Sequence, residues 1–440
     1  MTGPARLLTL TAPTHEELER ATDELVTTLE GLDDTGFARL PAVPDTARVV
    51  RRSLCRTVAA STPTDAARRL RRRDPRRVFT TGPADRTSRV FLFAGVGDQY
   101  TGLGAGLYQC VPAFRSELDR CFDLLSAEHD LNLRPVLFPP DASADPARTG
   151  SAPAGLAALY DRREEAQEIH RTVLAQPLMF ALQYALARAL GALGAPPAAL
   201  AGYSIGELAA AGVAGVLPLE PALRLVTRRA RLMEELPSGA MLAVMAGPEQ
   251  LARYARGPVS LAALNGPAQT VLSGPVGAIE QTAQELIAHG LACRRLATTH
   301  AFHSPMARPL TGPLERLLDT LPLRPPALPL LSSVTGTWLR TEEATSPGYW
   351  ARQLSRAIRF VDQAAEIWRL PGPLLVELGP GRTLSGLALQ HPDRPPAAAS
   401  VVQTLPGVFE SRPEPELLLT ALGQLWAAGA EIDWRQVAVP

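Results

Sequence analysis

Apolar residues along this chain recur with two different spacings, and the spacing changes from segment to segment. Leu7 to Thr11 and Leu54 to Ala60 read as strands. Between them, Thr14 to Leu29 places apolar residues at helical spacing on an acidic background, with Thr14 as N-cap and Glu17 three residues on, a capping box. Ala66 to Arg73 reads as a basic helix end. Arg89 to Phe93 is an apolar strand that runs into the glycine-rich loop Ala94-Gly95-Val96-Gly97-Asp98-Gln99. Gln176 to Leu193 predicts a long helix, and the apolar run Ala198 to Ala201 follows it as a strand. Leu374 to Leu378 is a further core strand, ending at Gly379-Pro380-Gly381, and Leu417 to Asp433 predicts an amphipathic helix followed by Trp434. This alternation of strand, loop and helix predicts a mostly parallel sheet covered on both faces.

From about 239 to 298 the rhythm differs. Ala240 to Met245, Val259 to Leu264, Gln269 to Ser273 and Leu291 to Ala297 are short strand candidates, with helical stretches at 248–255 and 276–289. That order, βαββαβ, is the ferredoxin-like pattern. It reads as an insertion, because the α/β pattern resumes after 305. Residues 139–157 form a Pro/Ala/Gly/Ser-rich loop, expected to be exposed. The fold expected is therefore α/β: a core with a mostly parallel sheet, an inserted ferredoxin-like βαββαβ subdomain at about 239–300, and a small N-terminal α/β subdomain. The expected divisions are 1–88, 89–395 and 396–440.

Composition narrows the function classes. A chain of 440 residues exceeds one compact core. Its net charge is zero, which argues against nucleic acid or an anionic membrane as the main partner. The arginines Arg68, Arg69, Arg71, Arg72, Arg73, Arg76 and Arg77 are read as a solvated linker face, because no aromatics interleave them and Asp74-Pro75 interrupts any helix. No uninterrupted apolar run approaches the roughly 18 residues of a membrane helix. The N-terminus lacks a signal-peptide pattern, so a cytoplasmic location is expected. Cys55, Cys110, Cys121 and Cys293 have no CxxC spacing and read as reduced thiols, without a metal site. All 44 basic residues are arginine. Schiff-base chemistry, pyridoxal phosphate attachment and a Walker-A loop each need a lysine and are excluded.

Candidate chemistry centres on Gly202-Tyr203-Ser204-Ile205-Gly206-Glu207. The Gly-x-Ser-x-Gly spacing, after a strand and before the helix-prone run Glu207 to Ala211, is that of a nucleophile elbow. Alone the pentapeptide is compatible with chance in a chain rich in Ala and Gly. A serine nucleophile needs a base. Of His15, His129, His170, His289, His300, His303 and His391, the pair His300 and His303 stands out, in Thr299-His300-Ala301-Phe302-His303-Ser304-Pro305 directly after the last strand of the insertion. Loop histidines are more often structural than catalytic; an elbow serine reverses that weighting. A third feature is Arg229. Pro221 to Leu236 is a helix with an apolar stripe at Leu225, Leu232 and Leu236, and Arg229 falls on it. Arg224, Arg228 and Arg231 share the opposite face, where Arg231 can pair with Glu235. An inward arginine needs a partner. Either a distant acidic side chain or an anionic ligand, held by the bidentate guanidinium, would serve.

Seven segments then carry a resemblance: FLFAGVGDQYTGLGAGLY (91–108), LAQPLMFALQYALA (174–187), AGYSIGELAAAGVAG (201–215), RRARLM (228–233), LAALNGPAQTVLSG (261–274), THAFHSPM (299–306) and VELGPGRTLSGL (376–387). In these, in order, the chain resembles the acyltransferase domain of modular type I polyketide synthases, kin to the malonyl-CoA:ACP transacylases. Residues 1–88 resemble the linker between ketosynthase and acyltransferase, and 417–434 the linker that follows the acyltransferase. The resemblance implies a serine-hydrolase-like core. Ser204 would be the nucleophile and His303 the general base, oriented by a backbone carbonyl in the loop containing Arg359. Backbone N–H groups of Val96 and Ile205 would form the oxyanion hole. Arg229 would clamp the free carboxylate of a malonyl-type extender, and Gln176 and Asn265 would line the pocket. His300 and Phe302, in His-Ala-Phe-His, go in this family with malonyl units, where a Tyr-Ala-Ser-His version goes with methylmalonyl; Ile205 points the same way. One methyl discriminates by only about 10–200-fold.

Three positions depart from the usual pattern. Tyr203, a further substrate-binding candidate, stands where most members have histidine, Val96 replaces the glutamine of Gly-Gln-Gly, and Ala94 replaces a proline. A subset of polyketide acyltransferases carries Gly-Tyr-Ser with Gly-Val-Gly, so these read as subfamily features. No ketosynthase cysteine motif and no carrier-protein phosphopantetheine site is present, so the chain is expected to be a free-standing enzyme or an excised domain. The implied reaction needs no bound cofactor. Malonyl-CoA is the donor, and the acceptor is the phosphopantetheine thiol of an acyl carrier protein acting in trans, with a ketosynthase of the same synthase as a further partner. An editing thioesterase on the same scaffold, an acyltransferase for a different acyl-CoA, and a catalytically silent docking protein are the alternatives; Arg229 disfavours the first, and the intact dyad the last.

Overall fold

The computed structural model describes residues 5–44, 53–82, 88–139, 168–395, 400–410 and 412–438, and these form three sheets. Strands β1 (Arg6–Ala12), β2 (Leu54–Ala60) and β3 (Val78–Thr81) make an antiparallel N-terminal sheet in the order β1-β2-β3. The helix His15–Glu30 follows β1. Its Thr14 cap accepts the Glu17 N–H at 3.2 Å and donates its hydroxyl to the Glu17 carboxylate at 3.0 Å. Next come β4 (Ser88–Phe93) and β5 (Ala199–Gly202), then the insertion with β6 (Ala240–Val244), β7 (Ser260–Gly266), β8 (Gln269–Gly274) and β9 (Cys293–Arg295), and last β10 (Leu330–Leu331), β11 (Pro373–Pro380) and β12 (Ser400–Leu405). The expected loop at 139–157 lies, beyond its first residue, outside the described residues.

The central sheet, β10-β5-β4-β11-β12, is parallel throughout. Along β4, Phe91 and Phe93 enter one core while Val90 and Leu92 enter the other, all four fully buried. A strand covered on both faces reads as a continuous apolar run, as the sequence does here. The helices Thr172–Ala192, Ile205–Val213 and Leu219–Glu234 supply the first face, and Phe360–Trp368 and Thr383–Leu389 the second. By length and composition Thr172–Ala192 could cross a membrane, but 89% of its most apolar window is buried in the protein, as befits a core helix. The 396–440 segment supplies β12, the edge strand of this sheet.

Strands β7-β8-β6-β9 form an antiparallel sheet, the ferredoxin-like order, with the helix Val276–Ala288 packed against it. It meets the main body along β7: the Leu264 N–H donates to the Ile358 carbonyl at 2.7 Å, and the Ile358 N–H to the Ala262 carbonyl at 2.9 Å.

Two expectations are corrected. The C-terminal helix is Glu414–Ala427 and is buried all round from Glu416 onward, so its polar stripe of Glu416, Thr420 and Gln424 faces protein and not solvent. It is wedged between the N-terminal sheet and β12. A Cβ at Gly423 would lie 2.8 Å from the Leu7 side chain, and the Gln424 amide donates to the Val401 carbonyl at 3.3 Å. The arginine cluster is not simply solvated. Arg69 and Arg77 converge on the nearly buried Glu416 of that helix, at 2.7 and 3.4 Å, and Arg73 pairs with Asp23 at 2.8 Å and with Glu19. The four cysteines are unbridged.

Candidate active site

Strand β5 ends at Gly202 and the helix Ile205–Val213 starts within three residues, so the chain reverses at Tyr203 and Ser204. Ser204 sits at φ 56°, ψ −117°, a region that side chains rarely occupy. Both elbow glycines are required sterically. A Cβ at Gly202 would lie 2.3 Å from the Glu207 Cα, and one at Gly206 would lie 2.1 Å from the Phe93 carbonyl oxygen. The Tyr203 N–H donates to that same carbonyl at 2.9 Å, tying the elbow to the end of β4.

The loop after β9 delivers His303. His303 also has a positive φ, 56°, and is 3% exposed. Its Nε2 lies 2.8 Å from the Ser204 Oγ, and its Nδ1 lies 3.0 Å from the Arg356 carbonyl oxygen. A carbonyl only accepts, so Nδ1 carries the proton and Nε2 is free to accept the serine proton. Burial, with the positive charge of Arg229 adding to it, holds the imidazole down at about 4. It is therefore neutral at pH 7. The orienting carbonyl belongs to Arg356, three residues before Arg359 in the expected loop. His300 does not take part in the pair: its Nδ1 lies 2.9 Å from the Thr299 hydroxyl, and its ring stacks on Phe302 at 5.8 Å. Phe302 packs between the two cores.

Arg229 is on the buried stripe of its helix, 3% exposed, with Leu225 and Leu232 buried beside it and Arg224, Arg228 and Arg231 in solvent. Arg231 donates to the His129 carbonyl; the pair expected with Glu235 does not form. Among the described residues, no acidic group comes within ion-pair distance of Arg229. Its partners are neutral amide oxygens, of Gln176 and, at 3.5 Å, of Gln353. Burial lowers its pKa to about 10, partly offset by the field of Glu207, so the guanidinium remains charged. Gln176, also buried, uses its amide nitrogen on the Met233 sulfur at 3.0 Å.

Two residues that sequence reasoning passed over hold the site together. Glu207, read only as helix-prone, is fully buried. It accepts from the Ser333 N–H at 2.9 Å, the Ser333 hydroxyl at 2.5 Å, the Tyr349 hydroxyl at 2.7 Å and the Gln353 amide at 2.8 Å. Burial pushes its pKa up and these four donors pull it back. The same Gln353 amide donates to the Ser204 carbonyl at 2.7 Å, so one side chain links the elbow, Glu207 and Arg229. Nothing in the spacing marks Gln353. The position of Glu207 directly after the elbow glycine was the available signal for its role.

The glycine loop after β4 lies against the elbow. A Cβ at Gly95 would come within 3.2 Å of the Tyr203 ring, and the Ala94 carbonyl accepts from the Gln183 amide at 3.0 Å. Gln99 braces the loop, accepting the Gly97 N–H at 2.7 Å, with its Nε2 2.8 Å from His170 Nδ1. Among the described residues, the N–H groups of Val96 and Ile205 have no hydrogen-bond partner. Ile205 opens the helix, where such donors are left free. Tyr203 reaches the insertion, its hydroxyl donating to Asn265 Oδ1 at 3.0 Å. The structure thus joins Ser204 to His303, Gln176 to Arg229 and Tyr203 to Asn265, with Val96 and Ile205 on the two segments that meet at the elbow.

A family model described as an acyl transferase domain matches residues 90–384. A phenolphthiocerol/phthiocerol polyketide synthase protein of Mycobacterium tuberculosis is 36% identical over 353 residues, 80% of this chain and 22% of that protein. Polyketide synthase GfsA of Streptomyces halstedii is 35% identical over 81% of this chain and 5% of its own length. The chain thus spans less than a quarter of the length of these relatives. Among solved structures, the acyl transferase domain of ZmaA matches with a TM-score of 0.80 at 30% identity, covering 99% of this chain and 97% of that one. The acyl transferase domain of SpnD, in complex with 2-(pent-4-yn-1-yl)malonyl, matches at 0.78 and 31% identity, covering 97% of both chains. With the elbow, the dyad and the inserted sheet in place, these matches show that the chain belongs to the acyl transferase domain family and is an acyltransferase of the polyketide-synthase type.

Proposed function

We propose that this chain moves a malonyl group from malonyl-CoA, through an ester on Ser204, to the phosphopantetheine thiol of an acyl carrier protein. The observation that carries the reading is Arg229. It is a buried cation whose partners are neutral amides, on a helix packed beside the dyad, and its charge is felt by His303. A desolvated guanidinium is costly without an anion, and a malonyl carboxylate supplies one in the bidentate geometry guanidinium favours. The likeness to the SpnD domain, which holds a substituted malonyl group, supports a carboxylated acyl substrate.

In the first half-reaction the Ser204 Oγ attacks the thioester carbonyl carbon while its proton passes to His303 Nε2. The oxyanion that forms is stabilised by the N–H groups of Val96 and Ile205. Collapse breaks the C–S bond, and the CoA sulfur leaves with the proton from Nε2. In the second half-reaction the carrier thiol gives its proton to Nε2 and attacks the ester carbonyl. The C–O bond then breaks, and Ser204 recovers the proton. His303 has to be neutral at the start of each half, as its low pKa provides. A carrier protein as acceptor is supported by the likeness, at a TM-score of 0.62 and 25% identity over 77% of this chain, to PlMCAT in complex with AntF, a type II polyketide-synthase acyl-carrier protein with its malonyl-transacylase. His300 and Phe302 stack at 5.8 Å in the loop that carries His303, and in this reading their bulk favours an unbranched malonyl unit.

The test is a panel of acyl-CoA donors with a phosphopantetheinylated carrier protein, scored for transfer and for free acid. Malonyl transfer to the carrier supports the proposal; release of free acid without transfer supports hydrolysis instead.

A further inference from the structure

Strand β7 of the inserted sheet touches both halves of the dyad's support. On the base side, its backbone pairs with Ile358 through Ala262 and Leu264, and Ile358 is two residues from the Arg356 carbonyl that holds His303. On the nucleophile side, Asn265 accepts the hydroxyl of Tyr203, the residue before Ser204. Asn265 is not an ordinary strand position. Leu264 pairs with Thr270 and Gly266 with Gln269, so Asn265 is the extra residue of a β-bulge. Bulges re-aim a side chain, often beside active sites. A second bulge at Ala262 leaves its carbonyl for Ile358.

Tyr203 is the matching element on the main body. Its ring lies against Gly95 of the glycine loop and meets the Phe360 ring edge-on at 6.1 Å. One side chain therefore contacts the glycine loop, the segment after the Arg356 loop and the inserted subdomain. Burial raises the pKa of its phenol, so the hydroxyl stays a donor throughout the working pH range.

We infer that Tyr203 and the bulged Asn265 form a latch that fixes the inserted subdomain against the elbow, and that through β7 this latch sets the placement of Ser204 relative to His303. Tyr203 is thus a positioning residue for the transfer reaction. The inference rests on the reading of Ser204 as the acylated nucleophile.

The experiment is a double-mutant cycle on the full chain with Tyr203→Phe, Asn265→Ala and the pair. The reading is the rate of Ser204 acylation by malonyl-CoA, followed by rapid quench and intact mass. Loss of one neutral hydrogen bond that holds reacting groups in place is expected to slow acylation about tenfold in each single variant. The double variant is expected to be no slower than the slower single variant. For Tyr203→Phe the loss falls on the rate at saturating donor, with KM within about twofold of wild type. Multiplying losses in the double variant, or a wild-type rate for Tyr203→Phe, would overturn the latch. If Asn265→Ala does not fold, Tyr203→Phe alone decides. If wild-type protein takes no malonyl group, the proposed function fails, and the same cycle is read instead with a serine-reactive fluorophosphonate, which reports on the dyad without a malonyl group.

Discussion

The Nε2 of His303 lies 2.8 Å from the Ser204 Oγ, at the meeting of a loop from the inserted subdomain and an elbow from the parallel sheet. That imidazole is held at about 4, against about 6.5 when unperturbed. Only the neutral ring can accept the serine proton. The acid limb of kcat/KM for acylation is therefore expected well below pH 6.5, with its midpoint toward about 4. The same depression links to stability. Between the folded and unfolded values the unfolded chain binds the extra proton, so this contribution is fully present above about 6.5 and is lost as pH falls toward about 4. A pH–rate profile with its midpoint near 6.5 contradicts the assignment.

Arg229→Ala removes the buried cation. Charge-assisted hydrogen bonds contribute about 1.5–3 kcal/mol, so malonyl-CoA acylation is expected to fall by about 10–100-fold. Acetyl-CoA has no carboxylate to lose, and its slow acylation is expected to change little. Side-by-side acylation rates for the two donors check this. Equal losses would mean that Arg229 supports the fold of the site rather than the carboxylate.

Glu207→Ala leaves the Ser333 N–H, the Ser333 and Tyr349 hydroxyls and the Gln353 amide without their shared acceptor. Each buried neutral donor left unsatisfied costs about 1–3 kcal/mol, so a loss of at least about 3 kcal/mol is expected. Urea unfolding should show a destabilisation of that size. A change below about 1 kcal/mol, the scale of an exposed ion pair, would show that Glu207 is dispensable.

Phe302→Ser opens space beside His300 and His303. A pocket that gains room for one methyl shifts preference by about 10–200-fold at most, so the ratio of methylmalonyl to malonyl loading is expected to rise within that range. Competition between the two CoA esters, read on the carrier protein by mass, measures it. An unchanged ratio would place the selectivity elsewhere in the pocket.

The elements were legible where one period dominated. The apolar runs Val90 to Phe93 in β4 and Leu374 to Val376 in β11 declared a sheet covered on both faces, and the change of rhythm after 239 declared the insertion. Arg229 was legible because it broke an apolar stripe at helical spacing, and Ser204 because the glycines on both sides are forced by contacts as close as 2.1 Å. The rest depended on contacts distant in sequence. Gln353 carries no periodic or motif signal, and it acquires its role only because the loop after the helix Pro347–Arg352 folds over the elbow, 149 residues away in sequence. The C-terminal helix misled for a related reason. Its apolar positions imply one buried face, but the N-terminal sheet covers the other. The arginine cluster likewise showed its role only once Glu416 was placed beside it.

The most direct test of the whole account is the intact mass of the chain after brief incubation with malonyl-CoA, followed by peptide mapping. One malonyl group is expected, as an ester on Ser204, absent from Ser204→Ala and transferable to a phosphopantetheinylated carrier protein. A chain that stays unmodified, or that carries the group on another residue, would contradict it.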